Sequence, residues 1–239
     1  MTLERMPGPM GSEPAPPGIG ETSAGSPAAL RLQVLSTEHW GLLATRSLAW
    51  TESFTRAGMF LSALSGAIVA LALIGQGTAF GDEFALFALV ILPVVLFIGV
   101  TTFIRMGAAN YNDAMCVVGM NRIRHAYLQL VPEVEPFLVL GAYDDEENVN
   151  LSMGMPPGQS FVVYLLASSP FVLATINAVL GGVIAVIAAN QLGVDGGAAI
   201  AIGAIAAVVV LGLQMLSATR DIARAVAGYT PKFPAPASK

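Results

Sequence analysis

Two apolar runs separated by a single acidic pair constrain this chain more than any other feature. Ala57 to Ala79 and Phe84 to Ile104 carry no charge, and only Asp82 and Glu83 break the stretch between Arg56 and Arg105. About 20 helical residues at 1.5 Å rise cross a hydrocarbon core of about 30 Å, so each run is long enough to span a bilayer. Gly81-Asp82-Glu83 is then the tight turn of a first hairpin. Uncharged stretches recur from Asn148 to Val194 and from Gly196 to Thr219, with Asn190 to Gly197 as the turn of a second hairpin. The sequence therefore predicts an all-α integral membrane protein with four transmembrane helices in two hairpins, joined to amphipathic helices on the cytoplasmic side.

Composition agrees. Of 239 residues, 55 % are hydrophobic and 11 % charged, whereas charged residues run near a quarter in soluble globular chains. The net charge of −5 says little, because the placement of Lys and Arg governs orientation. All 11 cations (Arg5, Arg31, Arg46, Arg56, Arg105, Arg122, Arg124, Arg220, Arg224, Lys232 and Lys239) fall on one side of a four-span arrangement. The other side receives Asp82, Glu83 and Asp195, which predicts cytoplasmic termini and a cytoplasmic internal loop. The first thirty residues are rich in Pro, Gly, Ser and Ala and hold no apolar core of a signal peptide. They and the tail Pro231 to Lys239 contain too little apolar surface to offset the entropy of ordering, and both are expected to lack structure.

The chain divides into a tail (1–34), an amphipathic helix (35–56), a first hairpin (57–104), a cytoplasmic helix with an acidic loop (105–157), a second hairpin (158–219) and a C-terminal tail (220–239). In the second segment Trp40, Leu43, Ser47, Trp50 and Phe54 recur by threes and fours, with Ser36 or Thr37 available as cap and Glu52 four residues before Arg56. Its tryptophans suit the headgroup region; a partner-binding helix is the other reading. After Arg105 a helix is expected up to Pro132, with Cys116, Met120, Ile123, Tyr127 and Leu130 as one stripe packed on the Leu35 to Phe54 helix. Pro132 to Asn150 reads as a loop. Pro170 leaves the start of the third span open between a kinked helix from Gln159 to Asn190, which we favour, and an interfacial segment followed by a span from Ser169.

Ser36-Thr-Glu-His-Trp-Gly-Leu-Leu-Ala-Thr-Arg46-Ser-Leu-Ala-Trp, Arg56-Ala-Gly-Met-Phe60 and Gly119-Met-Asn-Arg-Ile-Arg-His-Ala-Tyr127 resemble a family of uncharacterised bacterial membrane proteins over roughly residues 35 to 145. The resemblance implies a bacterial inner membrane location and carries no activity. The lead-in helix, two-span hairpin and trailing helix are also similar in layout to the two-span SLATT effector domains, which implies pore formation; the second hairpin departs from that layout.

No catalytic, cofactor-binding or metal-binding residues are assigned. The single cysteine, Cys116, excludes an internal disulfide, and no CxxC pair or His/Cys cluster is present. His125 beside Arg122 and Arg124 reads as a solvated basic face more readily than as a proton-responsive or lipid-binding site, and His39 as a polar residue at a helix start. Asp144-Asp145-Glu146-Glu147 lacks the alternation of an EF-hand loop and reads as solvated. Ser65, Asn177 and Gln214 are the sizeable polar side chains of the spans, and the absence of intramembrane charge argues against ion-coupled transport. Gly58, Ser62, Gly66 and Ala70 recur every fourth residue, as do Ala174, Ala178 and Gly182, then Ala199, Gly203 and Ala207. Such rows let helices approach closely; Gly66 is expected to face another helix and Ala67 lipid. The expected partners are the bilayer and either a second copy or another membrane protein, with no nucleic acid. A noncatalytic scaffold or adaptor is the first functional expectation and a homo-oligomeric pore the second.

Overall fold

The computed structural model describes residues 26–155 and 160–236. Four helices are long and apolar enough to cross a membrane: α1 (Pro27–Thr78), α2 (Asp82–Leu130), α5 (Ser169–Gln191) and α6 (Gly196–Ala227). Two short helices, α3 (Glu146–Ser152) and α4 (Phe161–Leu166), and a 3-10 turn at Pro132–Phe137 lie between α2 and α5. Helices suit this setting because each satisfies its own backbone where no water can.

α1 begins inside the segment expected to be a tail. Pro27 occupies the first turn, where its missing N–H costs nothing, and Ser26 Oγ accepts from Ala29 N at 3.2 Å. The cap is therefore Ser26 and not Ser36 or Thr37; most of residues 1–34 lie outside the described part. The first turn is also displaced. Ala79 and Phe80 reverse the chain with φ of 51° and 58°, and Asp82 and Glu83 already belong to the first turn of α2, where their charge suits the helix dipole.

α2 packs against both α1 and α5, and α6 packs against α5. Its buried residues alternate by three and four over most of its length: Ala85, Ala88, Leu92, Val95, Gly99, Thr102 and Met106, then Asp113, Cys116, Met120 and Ile123. On α1 the buried Ser53, Phe60 and Ala67 are seven apart. This is the spacing of a coiled-coil seam, and small or polar residues occupy many of its positions. Because the outward faces are as apolar as the seam, a search for amphipathicity finds little there.

Packing sets the faces of the helices, and the expectations for Gly66 and Ala67 are corrected. The Trp40–Leu43–Ser47–Phe54 stripe points outward, with only Trp50 turned toward α2, because the seam runs through His39, Arg46 and Ser53. Gly66 is exposed with nothing within 4 Å of where a Cβ would stand, while Ala67 is 7 % exposed and part of the core. The α5 and α6 rows do face each other: a Cβ on Gly182 would lie 2.9 Å from the Gly203 carbonyl oxygen.

The single kinked helix from Gln159 to Asn190 is absent. α4 ends at Leu166, Ser168 caps α5 by accepting from Phe171 N at 3.4 Å, and Pro170 sits in the first turn. Nor is Pro132 to Asn150 wholly loop, since Asp145 Oδ1 accepts from Asn148 N at 3.0 Å and starts α3.

Candidate functional site

The polar ends of α1, α2 and α6 lie at one end of the molecule, and the turns Ala79–Gly81 and Leu192–Asp195 at the other, where Gln191 Nε2 donates to Asp82 Oδ1 at 3.4 Å. The densest polar construction is the tip of α2 with the loop that follows. Asn121, fully buried, pins the loop to the helix. Its Nδ2 donates to the carbonyls of Tyr143 at 2.9 Å and Asn148 at 3.3 Å, and its Oδ1 accepts from Arg124 at 2.6 Å and Ser152 at 3.0 Å. All its hydrogen-bonding capacity is used, which makes a buried amide tolerable.

Asp144, at the centre, is fully buried, so the solvated acidic run is corrected at this residue, while Glu146 and Glu147 are exposed. Arg122 Nε donates to its Oδ2 at 2.7 Å. The remaining donors come from the C-terminal segment 229–235, here termed the strap. Lys232 N donates to Oδ2 at 2.9 Å and Phe233 N to Oδ1 at 2.7 Å, while Asp144 N donates to the Phe233 carbonyl at 3.1 Å. Tyr229 OH donates to the Asp144 carbonyl at 2.6 Å, and Ala235 N to Asp145 Oδ2 at 2.8 Å. The tail expected to lack structure is thus docked through residue 235, by backbone donors that composition does not reveal.

Burial opposes ionisation of Asp144, but the Lys232 N–H, the Arg122 guanidinium and the Phe233 N–H outweigh it and hold the carboxyl below its usual range. Burial likewise opposes the charge on Arg122, and its bonds to Asp144 and Tyr229 prevail, raising it. Arg124 is lowered by burial and by Arg46. His125 is no solvated base: its ring stacks on Phe233 at 4.7 Å between centroids and meets Tyr143 at 5.5 Å. His39 lies on the α1 seam, lowered by burial and by Arg124.

Further along the seam Asp113, 3 % exposed, accepts from both Arg46 nitrogens Nε and Nη2 and from Trp50 Nε1 at 3.0 Å. Cys116 is buried one turn away, its thiol pushed up by burial and by Asp113, and it fits the packing role expected of it. In the spans Asn177 Nδ2 donates to Gln214 Oε1 at 3.0 Å, and Asn177 Oδ1 fills the space that a side chain on Gly99 would take. Ser65 faces outward and takes no part. Among the described residues no three His, Cys, Asp or Glu side chains converge.

The sequence groups Arg122, Arg124 and His125 as one basic face and leaves Asp144 apart in the acidic run, and it does not single out Asn121, Asp113, Tyr143, Tyr229 or Phe233. The available signal was Tyr229-Thr-Pro-Lys-Phe-Pro: two aromatics interleaved with prolines, close behind a helix. Comparison with protein families, with curated proteins and with solved structures finds no match to this chain.

Proposed function

We propose that the chain is a noncatalytic scaffold or adaptor of the bacterial inner membrane, with two transmembrane hairpins, both ends cytoplasmic, and a cytoplasmic helical layer that engages another protein. One observation carries the reading. At 1.5 Å per residue the 52-residue α1 is about 78 Å long, against about 40–45 Å for a bilayer with its headgroups. The part before Arg56 therefore projects, and there Trp40 is 66 %, Leu48 70 % and Phe54 57 % exposed. Apolar surface held out in water by a rigid helix marks an interaction face. The concentration of cations at that end supports the cytoplasmic assignment. Crosslinking in native membranes from positions 40 and 54 should recover a partner protein; self-contacts alone, with the projecting segment dispensable, would reject the adaptor.

A homo-oligomeric pore is the second reading, favoured by the outward position of Gly58 and Gly66, each with open space around it for a second helix. Purified protein in planar bilayers should then conduct. Silence at verified insertion would remove this reading.

A further inference from the structure

The strap lies in a built cleft. Its floor is the tip of α2, with His125 and Arg122, and its wall is the loop Tyr143–Asp145. The cleft reads the strap as an extended peptide and not as a packed side-chain cluster. Two consecutive backbone N–H groups meet the two oxygens of one carboxylate, one loop N–H returns a bond to the strap carbonyl, and one aromatic ring is stacked. This is the grammar of extended-peptide recognition, in which main-chain bonds give affinity and a side-chain contact gives specificity. The strap is also lightly held. Thr230 to Ala235 stay exposed on their outer side, and so do residues 219–224 and 226–228 at the end of α6 that lead to it. Segments with few buried apolar contacts open first.

We propose that the α2 tip and the Tyr143–Asp145 loop form a peptide-docking cleft, closed in cis by the chain's own strap, which takes an extended segment of a partner protein carrying an aromatic residue followed by proline. The strap is the cis-bound example of that ligand and acts as a releasable latch. Asp144 explains why the cleft needs an occupant: with the strap gone, its carboxylate keeps only Arg122 of its three donors. A tethered strap competes at an effective concentration on the order of millimolar, so a free peptide binds well only once the latch is weakened. This inference deepens the adaptor reading and rests on it for its use. The assay below reads the cleft itself, so its failure removes the cleft and leaves the adaptor to its own crosslinking test.

The test uses full-length protein in lipid nanodiscs and a fluorescent synthetic peptide with the sequence of residues 229–236. Phe233→Ala weakens the latch and leaves the cleft unchanged, and by anisotropy it should bind the peptide at least about tenfold more tightly than wild type. Adding Asp144→Asn should reverse that gain. Should Asp144→Asn fail to fold, a peptide N-methylated at the positions of Lys232 and Phe233 decides the matter on the ligand side, because it cannot donate to Asp144 and should not bind. Equal binding to wild type and Phe233→Ala, no binding to either, or undiminished binding of the N-methylated peptide would overturn the proposal. So would a two-chain mass for wild type in lipid that falls to one chain in Phe233→Ala, since the strap would then lie in a second copy.

Discussion

Gly99 is where a single methyl group matters most. A Cβ there would meet Phe60 of α1 at 2.7 Å and collide with the Asn177 amide of α5, so one added carbon strikes two helices together. Overpacking of this kind costs about 1–3 kcal/mol, and Gly99→Ala should lower the melting temperature in lipid accordingly. Gly66 and Ala67 give the matched pair: Gly66→Leu should be tolerated because its surroundings are open, whereas Ala67→Leu should destabilise by a similar 1–3 kcal/mol. Equal tolerance at both positions would show that the α1 seam is misplaced. Asp144 supplies a pH dependence. Its folded pKa lies below the unfolded value near 4, so its stabilisation is complete above that value and is lost as pH falls through the depressed folded pKa. Wild type should therefore lose thermal stability more steeply than Asp144→Asn as the buffer is taken from pH 5 to about pH 3. Parallel melting curves for the two would contradict the assignment.

At the scale of elements, the α1–α2 turn has no glycine at its two left-handed positions. Ala79 and Phe80 both adopt left-handed backbone, which costs an L-residue roughly 1–2 kcal/mol each. Phe80 recovers part of that by lying over Gly75, and Ala79 N donates to the Gly75 carbonyl as a helix-ending bond. The Ala79 side chain brings no such return. Ala79→Gly should thus leave stability unchanged or raise it by about 0.5–1 kcal/mol, read as a small upward shift of the melting temperature. A drop of more than 1 kcal/mol would mean that the turn is held differently. The α5–α6 pair has the opposite character: its turn is ordinary, with Gly193 at φ 76°, and its stability lies in the Gly182–Gly203 approach.

For the whole molecule the decisive question is sidedness. Cysteines placed at Asp82 and Asp195, with native Cys116 buried and silent, should react with an impermeant reagent added to intact cells, and a cysteine at Glu147 should not. Labelling of position 147 would sink the proposed orientation. Because α2 and α5 each pack against two long helices, damage to either should spread through the molecule, while the outer helices α1 and α6 present most of their surface to the surroundings. An arrangement with so much outward apolar surface fits lipid along the spans and a protein partner along the projecting part of α1.

Four helices long and apolar enough to cross a membrane, and the clustering of the described cations at one end, were legible in the sequence, because hydrocarbon imposes a length and an absence of charge that no tertiary context overrides. The Cys116–Met120–Ile123 stripe was legible too, since polar residues such as Asn110, Asn112 and Gln129 on that part of α2 restore a contrast between faces. Within the spans the contrast disappears: lipid is as apolar as a helix neighbour, so which side of Gly66 and Ala67 is buried was decided only by the packing of α1 on α2. The site was hidden for a different reason. Asp144 is held by backbone N–H groups of residues 232 and 233, nearly ninety positions away, and every residue but proline carries such a group, so no side-chain pattern could announce the contact. Sequence set the elements and their polarity, and the fold alone brought the strap to the carboxylate.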